Sequence, residues 1–299
     1  MSLKYRKERI KKISNSWDLK IIHDLMVSYK IPKNDFQELL KCTKLYISKA
    51  LNFPFTIDDL AFLKLVDKQK TYRKNITPNG GVVPKREFQL EYNMILRTWA
   101  SIVKKMTSND EKLLKLFRTT PNIRIKFGKE LKDNVGRGLS TSIPHSDAWV
   151  EGPWGMNCFV PLMGDTKRNN LVCYEPKNKF KEEFLETSPT YDKMQWVLKE
   201  YKPITRLKPT SGNLYISDYA LIHNTNRKLK SKTRISIDTT VFVGNHKPHK
   251  DRLPEYRDII PQTGIDEFID VGQYENEKFV EKNSVFSHYT SKVLKTLKL

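Results

Sequence analysis

The segment STSIPHSDAW, residues 140–149, sets His145 and Asp147 two positions apart. On an extended chain, side chains two apart leave the same face, so one strand end can offer an imidazole and a carboxylate together. By itself the pair also fits a plain surface hydrogen bond. His223, in GNLYISDYALIHNT, lies 78 residues beyond His145 (145 to 223), a separation that suits a distant strand returning to the same pocket. A core or loop histidine would read the same way. Two neutral imidazoles and one carboxylate fill one face of a metal ion and leave three positions open. That is the arrangement of non-haem iron(II) sites that bind a cosubstrate and oxygen together. A closed structural zinc site would need a fourth protein ligand.

Eleven residues past His223 (223 to 234) the chain reads TRISIDTTVFV, with Arg234, Ser236 and Asp238 alternating against Ile235 and Ile237. This predicts a strand with one polar face. An arginine buried on that face is costly unless it meets an anion. Its guanidinium fork matches a carboxylate at two points, and Ser236 can add a hydroxyl donor. An ion pair with a protein carboxylate is the other reading.

The elements that must carry these residues divide along the chain. From about Ile10 to Thr119 the pattern is helical, opening with Ile10, Ile13, Trp17, Ile21 and Leu25 on one stripe. A second helix is expected after Pro32 with Asn34 as cap, and a third after Thr56, where Asp58 and Asp59 suit a first turn. A longer one is expected over Lys85 to Lys105, its stripe of Phe88, Tyr92, Ile95, Trp99, Ile102 and Val103 facing a core. Gly80, Gly81 and Pro84 mark a mobile loop before it. After Pro121 the period falls to two. Ile123, Ile125 and Phe127 alternate with Arg124 and Lys126, and strands are expected at Gly138 to Ile143, Met156 to Leu162, Asn170 to Tyr174, Gly212 to Ile216 and Thr233 to Val243. An insertion at 175–203, with a short helical pattern from Tyr191 to Tyr201, would be a lid or a surface decoration. The expected architecture is α+β. It has a helical N-terminal region (1–120), a strand-rich core (121–244) of double-sheet jelly-roll type and a polar basic extension (245–299).

The chain has 299 residues, 38% of them hydrophobic and 11% aromatic, enough for a sizeable core and against global disorder. Its net charge of +20 would suit a nucleic-acid partner, but the lysines are spread through every segment rather than gathered into a stripe, so specific nucleic-acid binding is not expected. Cys42, Cys158 and Cys173 are odd in number and far apart, which supports neither a disulfide framework nor a cysteine zinc site. With no long apolar run and no leader pattern, a soluble cytoplasmic protein is expected. His246 and His249 have a ligand-like spacing but lie in a Pro- and Lys-containing loop without an acidic partner.

Taken together, H-x-D, a distal histidine and R-x-S shortly after it resemble the signature of the iron(II)/2-oxoglutarate-dependent oxygenases. Within that superfamily GMNCFVPL (155–162) and NNLVCYEP (169–176) look like the phytanoyl-hydroxylase-like branch, near enzymes of carbohydrate and aminoglycoside biosynthesis clusters. The resemblance covers about Asn122 to Gly244. It implies a double-stranded β-helix of cupin-like form, with His145, Asp147 and His223 holding Fe(II) and Arg234 with Ser236 holding the distal carboxylate of 2-oxoglutarate. O2 would then take the last metal site. Asp147 stands where halogenating relatives carry a small residue, so hydroxylation, desaturation or epimerisation of a small molecule is implied, a carbohydrate or natural-product intermediate above all. Asn157 matches a polar position of the family's N-x-x-x-P-L strand, beside the cosubstrate or a metal ligand. Trp149, Trp154 and Arg137 are candidates for a substrate mouth, with aromatic packing and a solvated arginine as the alternatives. Two other functions compete, a non-catalytic jelly-roll binding protein and a basic nucleic-acid-binding protein.

Overall fold

The computed structural model describes residues 3–71, 75–83, 88–118, 121–129, 139–246 and 256–257. Arg137, Pro84, His249 and nearly all of the 245–299 extension lie outside them. Helices come first: α1 (Leu3–Trp17), then strands β1 (Lys20–His23) and β2 (Met26–Lys30), then α2 (Lys33–Leu51), α3 (Asp59–Lys68) and α4 (Gln89–Thr107). Strands follow: β3 (Leu114–Arg118), β4 (Asn122–Lys126), a one-turn helix α5 (Ala148–Glu151), β5 (Met156–Gly164), β6 (Asn169–Pro176), β7 (Tyr201–Pro203), β8 (Asn213–Asp218), β9 (Ile222–Arg227), β10 (Arg234–Val243) and β11 (Tyr256–Arg257).

Among the described residues the strands form two antiparallel sheets. The larger runs β1-β2-β8-β5-β10-β3-β11, with β4 also paired to β10 alongside β3. The smaller runs β7-β6-β9, and an isolated bridge joins His145 to His223 at the free edge of β9. Alternation on β10 splits the larger sheet. Ile235 and Ile237 point into a core shared with Ile10, Ile13 and Trp17 of α1, Tyr46 and Ile47 of α2, and Ile95, Trp99 and Ile102 of α4. Arg234, Ser236 and Asp238 point the other way, and Arg124 and Lys126 sit beside them on β4 in the pairs Arg234↔Lys126 and Ser236↔Arg124.

The first apolar stripe does not continue as one helix. α1 stops at Trp17 because Asp18 turns left-handed (φ 53°), and the hydroxyl of Ser14 donates to Leu19 O at 2.6 Å. The β-branched run that follows becomes a hairpin, whose second strand pairs with β8 through Met26↔Ser217 and Val27↔Ile216. Sheet pairing here outweighs the helical period. The region expected to be helical therefore also supplies β1, β2 and β3 to the larger sheet. α2 begins at Lys33 after Pro32, so Asn34 is inside the helix rather than its cap. α3 starts as expected, with the Asp58 side chain accepting from Ala61 N. Gly80 and Gly81 are fastened to β4 rather than free, since Gly80 O accepts from Ile125 N at 2.7 Å and Ile123 O accepts from Val82 N at 2.8 Å. At Gly80 (φ 84°) a Cβ would stand 2.4 Å from Ile125 O, so only glycine permits that approach.

Candidate metal and carboxylate site

His145 and His223 are brought together by backbone. His145 N donates to His223 O at 2.9 Å and His223 N to His145 O at 2.8 Å, while β9 is held on its other edge by β6 through Cys173↔His223. The expected strand before His145 is absent over residues 139–143, which form turns. Nor do His145 and Asp147 share a strand face. His145 sits in the bridge, and Asp147 has helical backbone angles (φ −64°, ψ −19°) at the start of α5. Between them Ser146 turns inward, its hydroxyl donating to Tyr219 O at 2.7 Å and accepting from Ala148 N at 3.1 Å, which fixes the bend.

The bend makes the three side chains converge. One ligand atom from each of His145, Asp147 and His223 lies within 4.8 Å of the others. His145 Nε2 is 3.7 Å from Asp147 Oδ1, and His223 Nε2 is 3.7 Å from Asp147 Oδ2. These separations are too long for hydrogen bonds, yet one ion about 2 Å from each atom would span them. His145 Nδ1 lies 2.8 Å from Ile143 O, so that edge carries the proton and Nε2 keeps its lone pair. Burial holds the His145 imidazole well below the usual histidine range, with the neighbouring His223 adding to it, so the ring is neutral and able to ligate. Burial likewise raises the Asp147 carboxyl, partly offset by His223, and a bound cation would favour its ionised form. Asn157 Nδ2 donates to Asp147 Oδ2 at 2.7 Å.

A cavity of about 190 Å³ holds this triad together with Arg234 and Ser236. Arg234 is 1% exposed, and its Nε and Nη1 are buried without a hydrogen-bond partner, as is Ser236 Oγ. The guanidinium rests 5.2 Å from the Phe159 ring, and burial brings its pKa down to about 10, with Asp238 opposing that shift. Asp238 is instead engaged by Arg124, which donates through Nε and Nη2 at 2.6 and 2.8 Å. Lys126 Nζ donates to Thr141 Oγ1 at 3.0 Å. Donors buried without a partner cost free energy unless an acceptor arrives. The unpartnered donors of Arg234 and Ser236 could receive a carboxylate, and the three ligand atoms of the triad could hold a cation.

Sequence reasoning overlooked part of the cavity. Arg124, Lys126, Glu151 and Tyr191 line it. The alternation NIRIK at 122–126 mirrors RISID at 234–238, which was the available signal that both polar faces look inward. Trp149 and Trp154, expected at a substrate mouth, are packing residues outside this lining. Trp149 is fully buried and its Nε1 donates to Phe184 O at 2.7 Å; Trp154 stacks on His246 at 4.5 Å, with the Arg6 guanidinium 4.1 Å from its ring centre.

No protein-family model matches the chain, and neither does any curated protein. Similar solved structures include the non-heme alpha ketoglutarate dependent epimerase SnoN from nogalamycin biosynthesis, at 12% identity and TM-score 0.38 over 79% of this chain and 83% of that one. Others are AviO1 from Streptomyces viridochromogenes Tue57 (11%, TM-score 0.42, 80% and 97%) and an N-substituted L-amino acid dioxygenase from Burkholderia ambifaria AMMD (13%, TM-score 0.35, 73% and 82%). Each of these TM-scores is below 0.5, too slight a likeness to establish either fold or activity.

Proposed function

We propose that this chain is an iron(II)- and 2-oxoglutarate-dependent oxygenase of the phytanoyl-hydroxylase-like branch, acting on a small polar molecule such as a carbohydrate or natural-product intermediate. The observation that carries the reading is a buried guanidinium whose Nε and Nη1 lack partners and a buried hydroxyl that lacks one, Arg234 and Ser236, in the same cavity as two imidazoles and a carboxylate that converge. The strand orders β4-β10-β5-β8 and (His145)-β9-β6-β7 support a double-stranded β-helix. In this reading residues 1–120 pack on the core, 121–244 form it with an insertion at 175–203, and 245–299 extend from it. No helix among the described residues is long and apolar enough to cross a membrane, and a cytoplasmic location is part of the proposal.

His145, Asp147 and His223 would hold Fe(II), and Arg234 with Ser236 would hold the far carboxylate of 2-oxoglutarate. Bound together with O2, these groups supply an oxidising centre at the cost of converting 2-oxoglutarate to succinate and carbon dioxide. The protein's own part is positional. The Ile143 carbonyl keeps the His145 proton on Nδ1, and the Asn157 amide aims one oxygen of Asp147. Asp238 keeps Arg124 occupied, so that the diacid meets one open guanidinium rather than two. Among the described residues the cavity wall carries three cations (Arg124, Lys126, Arg234) against three carboxylates (Asp147, Glu151, Asp238). A divalent metal and a doubly charged diacid leave that balance unchanged, which favours an uncharged polar substrate over a phosphorylated one.

The test is anaerobic addition of iron(II) and then 2-oxoglutarate, followed by air. A visible metal-to-ligand charge-transfer band that appears only with both, and succinate after oxygen, is the expected result. Folded protein that gives neither would end the proposal.

A further inference from the structure

The insertion at 175–203 reads from sequence as a lid or a decoration, yet it is bonded to the metal-ligand segment on both sides of His145 and Asp147. Before the pair, Gln195 Nε2 donates to Pro144 O at 2.9 Å and to Tyr191 O at 3.0 Å, so the residue preceding His145 is tied to the turn that carries Tyr191. After the pair, Ser188 N donates to Trp149 O at 2.8 Å, and the Trp149 indole donates to Phe184 O at 2.7 Å. Phe184, Tyr191, Met194, Val197 and Tyr201 of this segment form one buried cluster with Trp149 and with Ile222, the neighbour of His223. A segment whose apolar side is spent in that way is built to stay closed.

At the centre is Tyr191. Its ring lies on the His145 imidazole, with centroids 4.4 Å apart and planes 22° from parallel, and it also lines the cavity. The Ile143 carbonyl fixes one edge of the imidazole, at Nδ1. One hydrogen bond at an edge leaves the ring free to tilt about that bond, whereas a second ring lying on its face fixes the plane. The direction of the Nε2 lone pair then follows.

Resting on the metal reading above, we infer that Tyr191 is a positioning residue for His145, and that residues 175–203 are a fixed clamp on the ligand segment. The ring, not the phenolic hydroxyl, performs the task. Outer groups that orient a metal ligand typically matter at about 10–100-fold in metal affinity.

The experiment uses cobalt(II) as the probe, because its ligand-field absorption reports coordination geometry without turnover. Wild type, Tyr191→Phe, Tyr191→Leu and Tyr191→Ala are titrated with cobalt(II), with a melting curve for each. Tyr191→Phe is expected to keep the wild-type spectrum and affinity. Tyr191→Leu, which fills most of the space without a ring, is expected to bind cobalt about 10–100-fold more weakly with an altered spectrum, and it serves where the alanine variant fails to fold. Leucine and alanine variants that match wild type in affinity and spectrum would overturn the inference, whatever their melting temperatures. So would an equal loss in the phenylalanine variant, which would transfer the role to the hydroxyl. Wild-type protein that takes up no cobalt would instead refute the metal site itself.

Discussion

His145 and His223 are each other's backbone partners, N–H to C=O in both directions, at 2.9 and 2.8 Å. The two imidazoles, with ring centroids 4.5 Å apart, are thus set by one bridge at the edge of one sheet. Because main chain makes the bridge, the side chains can be removed without dismantling it. His145→Ala and His223→Ala should each lower iron(II) affinity by at least about 100-fold while leaving the far-ultraviolet circular dichroism unchanged. Equilibrium dialysis against iron(II) under anaerobic conditions measures the loss.

Arg234 separates function from stability. A buried guanidinium without hydrogen-bond partners at Nε and Nη1 is a cost in the ligand-free protein. Arg234→Met should therefore leave the ligand-free melting temperature equal to wild type or higher. Its binding of 2-oxoglutarate should fall by about 100-fold or more, in line with roughly 3 kcal/mol for a buried charged partner. Arg234→Lys should recover only part, since an ammonium cannot bind a carboxylate at two points. Calorimetry with the diacid and a thermal melt on the same samples check both halves.

The Asn157 amide reaches Asp147 Oδ2 at 2.7 Å and orients that carboxylate. Asn157→Ala should weaken metal binding by about 10–100-fold, less than loss of a ligand, with 2-oxoglutarate affinity following only as the metal site empties. Competition with a coloured chelator provides the measurement.

α1 is bolted to the core by charge. Asp218 is fully buried and accepts from Arg6 Nη1 at 3.0 Å and Arg9 Nη2 at 2.5 Å, and its Oδ1 also takes the Ala220 N–H at 2.7 Å. Asp218→Ala removes the carboxylate that two buried guanidinium groups share, leaving, among the described residues, Arg9 without an ion pair and Arg6 with Glu182 alone, 3.0 Å from its Nη2, and should cost about 3 kcal/mol. Urea unfolding followed by tryptophan fluorescence reads this, because Trp154 lies against Arg6.

His145, Asp147, His223 and Arg234 stand out in the sequence because their residue types are unusual for the places they occupy. An arginine inside an Ile-flanked alternation has few explanations, and Arg234 is buried as that pattern implied. The extended H-x-D picture missed the bend at Ser146, whose cause is a hydroxyl bond to Tyr219 O, 73 residues away, that no local pattern encodes. β1 and β2 were hidden for a similar reason. Ile21 and Leu25 continue the helical spacing of α1, and only pairing with β8 makes the hairpin the better state. Tyr191 was noted merely as the start of a helical pattern, since a stack on a distant histidine leaves no trace in spacing. The β4 face was the avoidable omission. Its polar alternation is visible in the sequence, which does not by itself say where Arg124 and Lys126 point; they face the cavity.

A crystal structure with manganese(II) in place of iron and with 2-oxoglutarate, its metal located by anomalous scattering, tests the central claim most directly. The account predicts one metal ion ligated by His145, Asp147 and His223, and the diacid's far carboxylate on Arg234 and Ser236. Metal bound elsewhere, or a diacid whose carboxylate ignores Arg234, would contradict it.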